Sequence, residues 1–98
     1  MATFILLSSL TDGGAWTVKE EPDRIRVVNQ ELDRMGVHVV GQWAVLGPYD
    51  FVNVVEAPDN LTIARVSALL ASRGSVRIMT LPAIPIDEFI TGLRPHDG

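Results

Sequence analysis

Tyr49 and Asp50 place a phenol and a carboxylate side by side, directly after Gly47 and Pro48. At the mouth of a barrel or pocket, Tyr49 would donate a hydrogen bond and Asp50 would act as a base. The alternative is structural, because turns favour aspartate, whose carboxylate accepts hydrogen bonds from nearby backbone N–H groups. Tyr49 would then pack its ring against the hairpin. Both residues are therefore catalytic candidates, and the residue types leave the two interpretations open.

His38 is the third catalytic candidate, because a neutral imidazole can serve as a general base or as a metal ligand. Strand alternation puts Gln42, four residues further along, on the same face. A single histidine without a second nearby ligand does not indicate a metal site. The other histidine, His96, falls in the predicted C-terminal tail. We therefore predict no metal site, and the alternative for His38 is a polar residue of the sheet.

Three further residues are candidates for ligand binding. Trp43 offers a large ring that would stack on a planar ligand or pack in a core or an interface. Asn53 interrupts an apolar strand, and since buried amides need partners it would bind a ligand, pair with Gln42 or pair across a dimer. Arg77 would hold a carboxylate or a phosphate, or lie solvated at a sheet edge.

The composition excludes several classes of function. The chain has 98 residues, of which 47% are hydrophobic, and this indicates one folded domain rather than a disordered segment. It has no cysteine, which excludes disulfides, thiolate metal sites and cysteine nucleophiles. Charged residues are scattered, with a net charge of -4, so no basic patch indicates nucleic-acid binding. No apolar run approaches the ~20 residues of a membrane span and no signal-peptide pattern is visible, so we expect a cytoplasmic protein.

The pattern of apolar residues predicts four strands, two main helices and a short terminal helix. Short runs in which apolar residues alternate with polar ones, or are apolar on both faces, predict the strands. Apolar residues that recur every three or four positions predict the helices. The first helix is placed at about 18–35, because Thr17 and Glu20 have capping-box spacing and the segment 11–14 breaks the chain before them. The second helix is predicted to follow Asn60 and the terminal helix to span 86–93. The ordered core then covers about 3–93, and 94–98 form a tail. The predicted strands are 3–10, 37–46, 51–56 and 75–81.

The element order β-α-β-β-α-β with a short C-terminal helix is that of a ferredoxin-like split βαβ fold, an α+β architecture with a four-stranded antiparallel sheet. Gly36 and Gly74 are expected to end the two helices, and unbroken alternation puts Val39 and Trp43 on one face of the second strand. Both helices cover one side of such a sheet and leave the other side bare. Because strands one, two and four are apolar on both sides, we predict a homodimer or higher homo-oligomer that packs through the sheet face.

The stretch Gly47-Pro48-Tyr49-Asp50 resembles the motif of the GYD domain family. The similarity covers roughly residues 3 to 90, and the stretches that carry it are 10–14, 19–24, 46–52, 55–60 and 69–77. The resemblance implies a ferredoxin-like fold of the dimeric α/β-barrel kind, similar in architecture to cofactor-free monooxygenases, haem-degrading enzymes and stress-response barrel proteins. The family signature carries no established activity, so the cofactor and the reaction stay unassigned.

Two functions fit these observations. The first is a homo-oligomeric binding or assembly module, because the free sheet face is apolar and no strong catalytic set is present. The second is an oxygenase-like enzyme, or a binder of a small apolar or aromatic ligand, with its site between the helices and the sheet. That second function predicts a cavity of roughly a few hundred cubic ångströms. The residues expected to line it are Tyr49, Asn53, His38 and Trp43.

Overall fold

The computed structural model describes residues 1–95, which form four strands and four helices. His96 of the predicted tail lies outside the described residues. The elements in chain order are β1 (Ala2–Leu10), α1 (Asp12–Glu20), α2 (Arg24–Arg34), β2 (His38–Ala44), β3 (Phe51–Ala57), α3 (Asn60–Ser72), β4 (Val76–Ala83) and α4 (Ile86–Leu93).

The four strands form one antiparallel sheet in the order β2-β3-β1-β4, which confirms the predicted ferredoxin-like α+β fold. Alternation along β1 separates the two sides of the sheet: Phe4, Leu6 and Ser8 are buried, whereas Ile5 and Leu7 are half-buried on the opposite side. Apolar side chains of one sheet side and of the covering helices exclude water and form the core. The buried core residues are Phe4, Leu6, Leu32, Val37, Val55, Ala57, Ile63 and Val66.

Helix α1 begins at Asp12, earlier than predicted. The two following glycines indicated a break, but Thr11 caps the helix, since its Oγ1 accepts a hydrogen bond from the Gly14 N–H at 3.1 Å. Gly14 is buried, and a Cβ there would lie 2.0 Å from the Ser75 carbonyl oxygen. Only glycine lets α1 pass this close to the start of β4. The predicted capping role of Thr17 is wrong, because that residue lies inside α1.

The single helix predicted over 18–35 is instead two helices. The first ends at Glu20 and the second begins at Arg24, with a turn around Pro22 between them. Proline has no N–H group and cannot continue the hydrogen bonds of a preceding helix, so the chain changes direction here. The apolar stripe of α2 nevertheless packs on the sheet as predicted, and Leu32 is buried in the core.

A β-bulge in β2 changes which residues share a face. The register shifts by one residue between Val39 and Gly41, so that Val40 has no partner in β3. Val39 pairs with the buried Val55 on the helix-covered side, whereas Trp43 lies on the bare side. The prediction that Val39 and Trp43 share a face is therefore wrong, because an extra residue reverses the alternation beyond it.

The remaining boundaries lie within two residues of the predictions. Gly36 and Gly74, predicted to end helices, follow α2 and α3 with φ angles of 88° and 73°. Asp59 caps α3, and its Oδ1 accepts a hydrogen bond from the Thr62 N–H at 2.8 Å. Strand β4 continues through Pro82, which is tolerated because β4 is an edge strand of the sheet.

Helix α4 has the predicted bounds but no buried residue. Its large apolar side chains are exposed, and so is Ile84 in the connection from β4. The molecule measures 59 × 29 × 19 Å, an elongated shape that fits a terminal helix reaching beyond the sheet. No helix within residues 1–95 has the length and apolar character needed to cross a membrane. The exposed apolar residues of α4 are Ile86, Phe89, Ile90 and Leu93.

Candidate functional site

The side of the sheet away from the helices is an apolar surface, which we call the open face. It is formed by side chains that alternate with the core residues along all four strands. Its members are Ile5, Leu7, Trp43, Val52, Val54, Met79 and Leu81. Leu7 lies at its centre, between Val52 on one side and Met79 on the other. A continuous apolar surface of this kind usually marks a contact with another molecule.

Trp43 contributes the largest ring of the open face and is 55% exposed. The ring covers Gly41, because a Cβ built on that glycine would lie 2.5 Å from the ring atom Cη2. Any other residue at position 41 would displace the ring. The bulge and the glycine thus hold Trp43 flat against the sheet, where it adds apolar area to the open face. A role in stacking on a ligand stays a prediction.

Tyr49 and Asp50 lie in the hairpin loop but their polar groups point to different neighbours. The Tyr49 hydroxyl donates to the Met79 sulfur at 3.5 Å, which places the tyrosine beside the open face. Asp50 Oδ2 accepts a hydrogen bond from the Leu10 N–H at 2.7 Å. In addition, the Asp50 N–H donates to the Ser8 carbonyl at 2.8 Å. Asp50 therefore makes the contacts expected of the structural interpretation, in which its carboxylate receives backbone N–H groups.

His38 lies at the start of β2, with its Nδ1 at 2.5 Å from Asp33 Oδ1. The histidine pairs with Glu56 in the sheet register, whereas Gln42 pairs with Asn53. Glu56 and Asn53 are three residues apart and therefore point to opposite sides of β3. The prediction that His38 and Gln42 share a face is wrong, and the bulge between them is the reason. The structure thus places His38 on the side of the sheet that carries Trp43, but at the opposite end of β2.

Arg77 lies on β4, opposite Ser9 of β1, on the same side of the sheet as the open face. Its side chain is exposed and makes no ion pair with residues 1–95. It stands at the end of the sheet where β1 finishes. This position matches the alternative of a solvated arginine near a sheet edge, and ligand binding by Arg77 stays a prediction.

A second candidate site lies on the other side of the sheet, between helices α1 and α2 and the strands. A half-enclosed cavity of about 160 Å³ opens there, with mainly apolar walls. This volume is smaller than the few hundred cubic ångströms expected for a ligand pocket. Of the four residues predicted to line such a pocket, Asn53 does so, whereas His38, Trp43 and Tyr49 are not among the lining residues.

Asn53 presents a buried acceptor to this cavity. Its Oδ1 has no hydrogen-bond partner among residues 1–95. The neighbour Gln42 is already engaged, since Asn29 Nδ2 donates to Gln42 Oε1 at 2.7 Å and Gln42 Nε2 donates back at 3.3 Å. Asn53 also points away from the open face, so it cannot pair across a dimer formed there. An unpartnered buried polar group costs about 1–3 kcal/mol, and such a group is often explained by function.

Several residues of the cavity were not among the predicted candidates. Ser8 is buried and lines the cavity. The sequence could have indicated this, because Ser8 is a polar residue that alternation places on the same face of a central strand as Phe4 and Leu6. At the mouth, Arg73 donates two hydrogen bonds to the carboxylate of Glu31. These bonds and the charge of the guanidinium hold the pKa of Glu31 below its ordinary value of 4.5. No periodicity in the sequence links these two residues, which are 42 positions apart.

The residues that the structure describes contain no group of three or more His, Asp or Glu side chains able to hold a metal ion. The six candidates of the sequence thus do not form one site, since Asp50 bonds to the end of β1 and His38 pairs with Asp33. Trp43, Tyr49 and Arg77 lie on or beside the open face, and Asn53 lines the cavity behind it. The arrangement offers an apolar surface for association and a small pocket for binding.

Comparison with known proteins adds three findings. A family model described as the GYD domain matches residues 4–92. A Thermus thermophilus protein named Glutamine synthetase and cystathionine beta-lyase binding protein is 62% identical over 95 residues, which cover 96% of this chain and 100% of that protein. A crystal structure of another protein from the same organism covers 87% of this chain and 95% of its own, with a TM-score of 0.55 and 23% identity. At that identity the likeness supports the fold alone.

Proposed function

Because this chain belongs to the GYD domain family, we propose that it is a cytoplasmic, homo-oligomeric binding module that assembles through its open face. The observation that carries the proposal is the continuous apolar surface on the side of the sheet that the helices leave uncovered. Removing such a surface from water is the main driving force of stable association. A second copy of the chain covers it, face against face, about a twofold axis.

The open face and helix α4 together supply the apolar area for a second copy of the chain. Four strands of about seven paired residues each span roughly 440 Å² in projection, which is about half of the ~800 Å² of accessible surface per partner in a standard interface. Helix α4 follows directly after β4, and its exposed apolar residues extend the available area. We therefore place α4 of each copy against the other copy. Charge fits as well, since the first turn of α4 carries Asp87 and Glu88 while Arg77 stands beside the open face.

The named relative supports a role in binding enzymes. It covers the same length as this chain and bears the name of a protein that binds glutamine synthetase and cystathionine beta-lyase. We propose that this chain binds enzymes of these two classes as an assembled oligomer. A binding module needs no catalytic set of its own, in agreement with the structural contacts of Asp50.

The test of the assembly is a lysine at the centre of the open face. In Leu7→Lys, twofold symmetry brings two charges into the apolar interface, which we expect to weaken self-association at least about a hundredfold. Leu61→Lys is the matched control, because Leu61 is exposed on α3 and belongs neither to the open face nor to the apolar surface of α4. Sedimentation equilibrium over a range of protein concentrations gives the masses. A wild-type protein that stays monomeric, or a Leu7→Lys variant that associates as wild type does, contradicts the proposal.

Enzyme binding is measured separately, by surface plasmon resonance with purified glutamine synthetase and purified cystathionine beta-lyase. We expect a Kd of about 1 µM or tighter for the wild-type chain, within the range of specific protein complexes. The Leu7→Lys variant should bind more weakly if the oligomer is the binding form. Absence of binding of both enzymes to the wild-type chain would reject this part of the proposal and leave the assembly result standing.

A further inference from the structure

We propose that the cavity between helices α1 and α2 and the sheet binds a ring-sized, largely apolar molecule that carries one neutral hydrogen-bond donor. This inference is independent of the proposed self-association. The cavity lies on the helix-covered side of the sheet, and the open face lies on the other side. The two sites therefore share no side chain.

The volume of the cavity and its mainly apolar walls determine the size and polarity of the molecule that fits. Its volume is about 160 Å³, and a cavity of about 150 Å³ with apolar walls holds one benzene molecule. The wall includes Leu10 and Phe51 from the sheet side and Val18, Ile25 and Val28 from the helices. The lining is mainly apolar and offers few hydrogen bonds to water, so a cluster of water molecules fills this space poorly. A molecule the size of one ring fits both the volume and the polarity.

The buried carbonyl of Asn53 selects the functional group of the ligand. Its Oδ1 has no partner within residues 1–95, and the amide opposite it in the sheet register, that of Gln42, is already paired with Asn29. Leu6, the partner of Asn53 on β1, is apolar and cannot donate. A hydroxyl or an N–H on the ligand would supply the missing donor. An apolar pocket with one such polar group is a common form of a small-molecule site.

The mouth of the cavity limits the charge of the ligand. Arg24 lines the cavity, is exposed, and makes no ion pair with the part of the chain that the structure describes. Arg73 and Glu31 stand nearby and neutralise each other. The ionisable side chains that line the cavity are thus both cationic and one of them is unpaired within residues 1–95, which disfavours an ammonium group on the ligand. The donor is thus a neutral hydroxyl or N–H group.

The experiment compares two probes of equal size, phenol and toluene. Phenol carries a hydroxyl group where toluene carries a methyl group. Each is titrated into the isotope-labelled full chain and followed by two-dimensional ¹H–¹⁵N NMR. We expect phenol to shift the amide signals of cavity residues such as Ser8, Val28 and Asn53. We also expect phenol to bind at least about tenfold more tightly than toluene, because only phenol supplies the donor that Asn53 lacks.

The variant Asn53→Leu removes the acceptor while keeping a branched side chain of similar shape. It should lose the preference for phenol, and Asn60→Leu on α3, outside the cavity, should keep it. If Asn53→Leu does not fold, the wild-type comparison of the two probes decides. The proposal is overturned if phenol leaves the cavity signals unchanged, if toluene binds as tightly as phenol, or if Asn53→Leu keeps the preference. Repeating the titration with Leu7→Lys separates this outcome from that of the assembly.

Discussion

Asp50 holds the end of β1 against the hairpin that joins β2 and β3. Its carboxylate accepts the Leu10 N–H, and its own N–H donates to the Ser8 carbonyl. The hydroxyl of Ser9 adds a third link by donating to the Pro48 carbonyl at 3.2 Å. These bonds replace the strand pairing that β1 loses where β3 begins. Asp50 thus joins the end of β1 to the hairpin, and its role as a base stays a prediction.

Replacing Asp50 tests this role. We expect Asp50→Ala to lower the free energy of unfolding by about 1–3 kcal/mol, because the partly buried Leu10 N–H loses an ionised acceptor. Asp50→Asn keeps an acceptor oxygen and should cost less. Urea denaturation at one fixed protein concentration measures both. Asp23→Ala is the control, since its ion pair with Arg26 is exposed and exposed pairs contribute little. Equal stability of Asp50→Ala and the wild type would contradict the role.

At the scale of the elements, α3 depends on its N-terminal cap. The Asp59 carboxylate accepts hydrogen bonds from the N–H and the hydroxyl of Thr62, both at 2.8 Å. These bonds hold the pKa of Asp59 below its ordinary value of 3.8. A carboxyl whose folded pKa is lowered stabilises the fold above its unfolded pKa. That contribution is lost as the pH falls below 3.8 through the folded pKa.

The pH dependence of Asp59→Asn tests this cap. At pH 7 we expect the variant to melt at a lower temperature than the wild type, because asparagine keeps the cap but lacks the charge. The difference should shrink below pH 3.8, where the wild-type carboxyl takes up its proton. Thermal melts followed by circular dichroism at pH 7 and pH 3 measure it. Asp59→Ala, which removes the cap altogether, should remain less stable at both values. A constant difference between wild type and Asp59→Asn would refute the assignment.

At the scale of the whole molecule, the elongated shape and the exposed α4 belong together. A helix with apolar residues on its surface and no buried residue gains little stability from its own chain. In the proposed assembly, a second copy covers this helix and supplies that stability. The elongated single chain is in this view one half of a more compact assembly.

Truncation after Ala83 tests the contribution of α4. All buried core residues lie between Phe4 and Val66, well before the truncation, so the shortened chain should keep its fold by circular dichroism. We expect its self-association to weaken by about tenfold or more, because the apolar area of α4 is lost from the interface. Sedimentation equilibrium compares the two chains. Equal association constants would show that α4 lies outside the interface, and loss of the fold would show that α4 stabilises its own chain.

Apolar periodicity and turn residues act over short distances, so they predict the four strands, their order and therefore the α+β fold, although they merge α1 and α2 into one helix. The stops at Gly36 and Gly74 and the bounds of α4 are of this kind. The sequence also indicated that both sides of the sheet are apolar, and from that the open face. It did not show the start of α1, since the cap of Thr11 outweighs the low helix propensity of two glycines.

Which residues share a site depends on contacts between segments that are distant along the chain. One extra residue at Val40 reverses the alternation of β2. His38 and Gln42 therefore lie on opposite sides of the sheet, and Trp43 lies on the open face. The pair of Arg73 with Glu31 and the unpartnered carbonyl of Asn53 depend on chain segments that are distant in sequence. Periodicity describes only neighbours along the chain. The cavity arises where strands and helices from different segments meet, and their register and packing alone set its position.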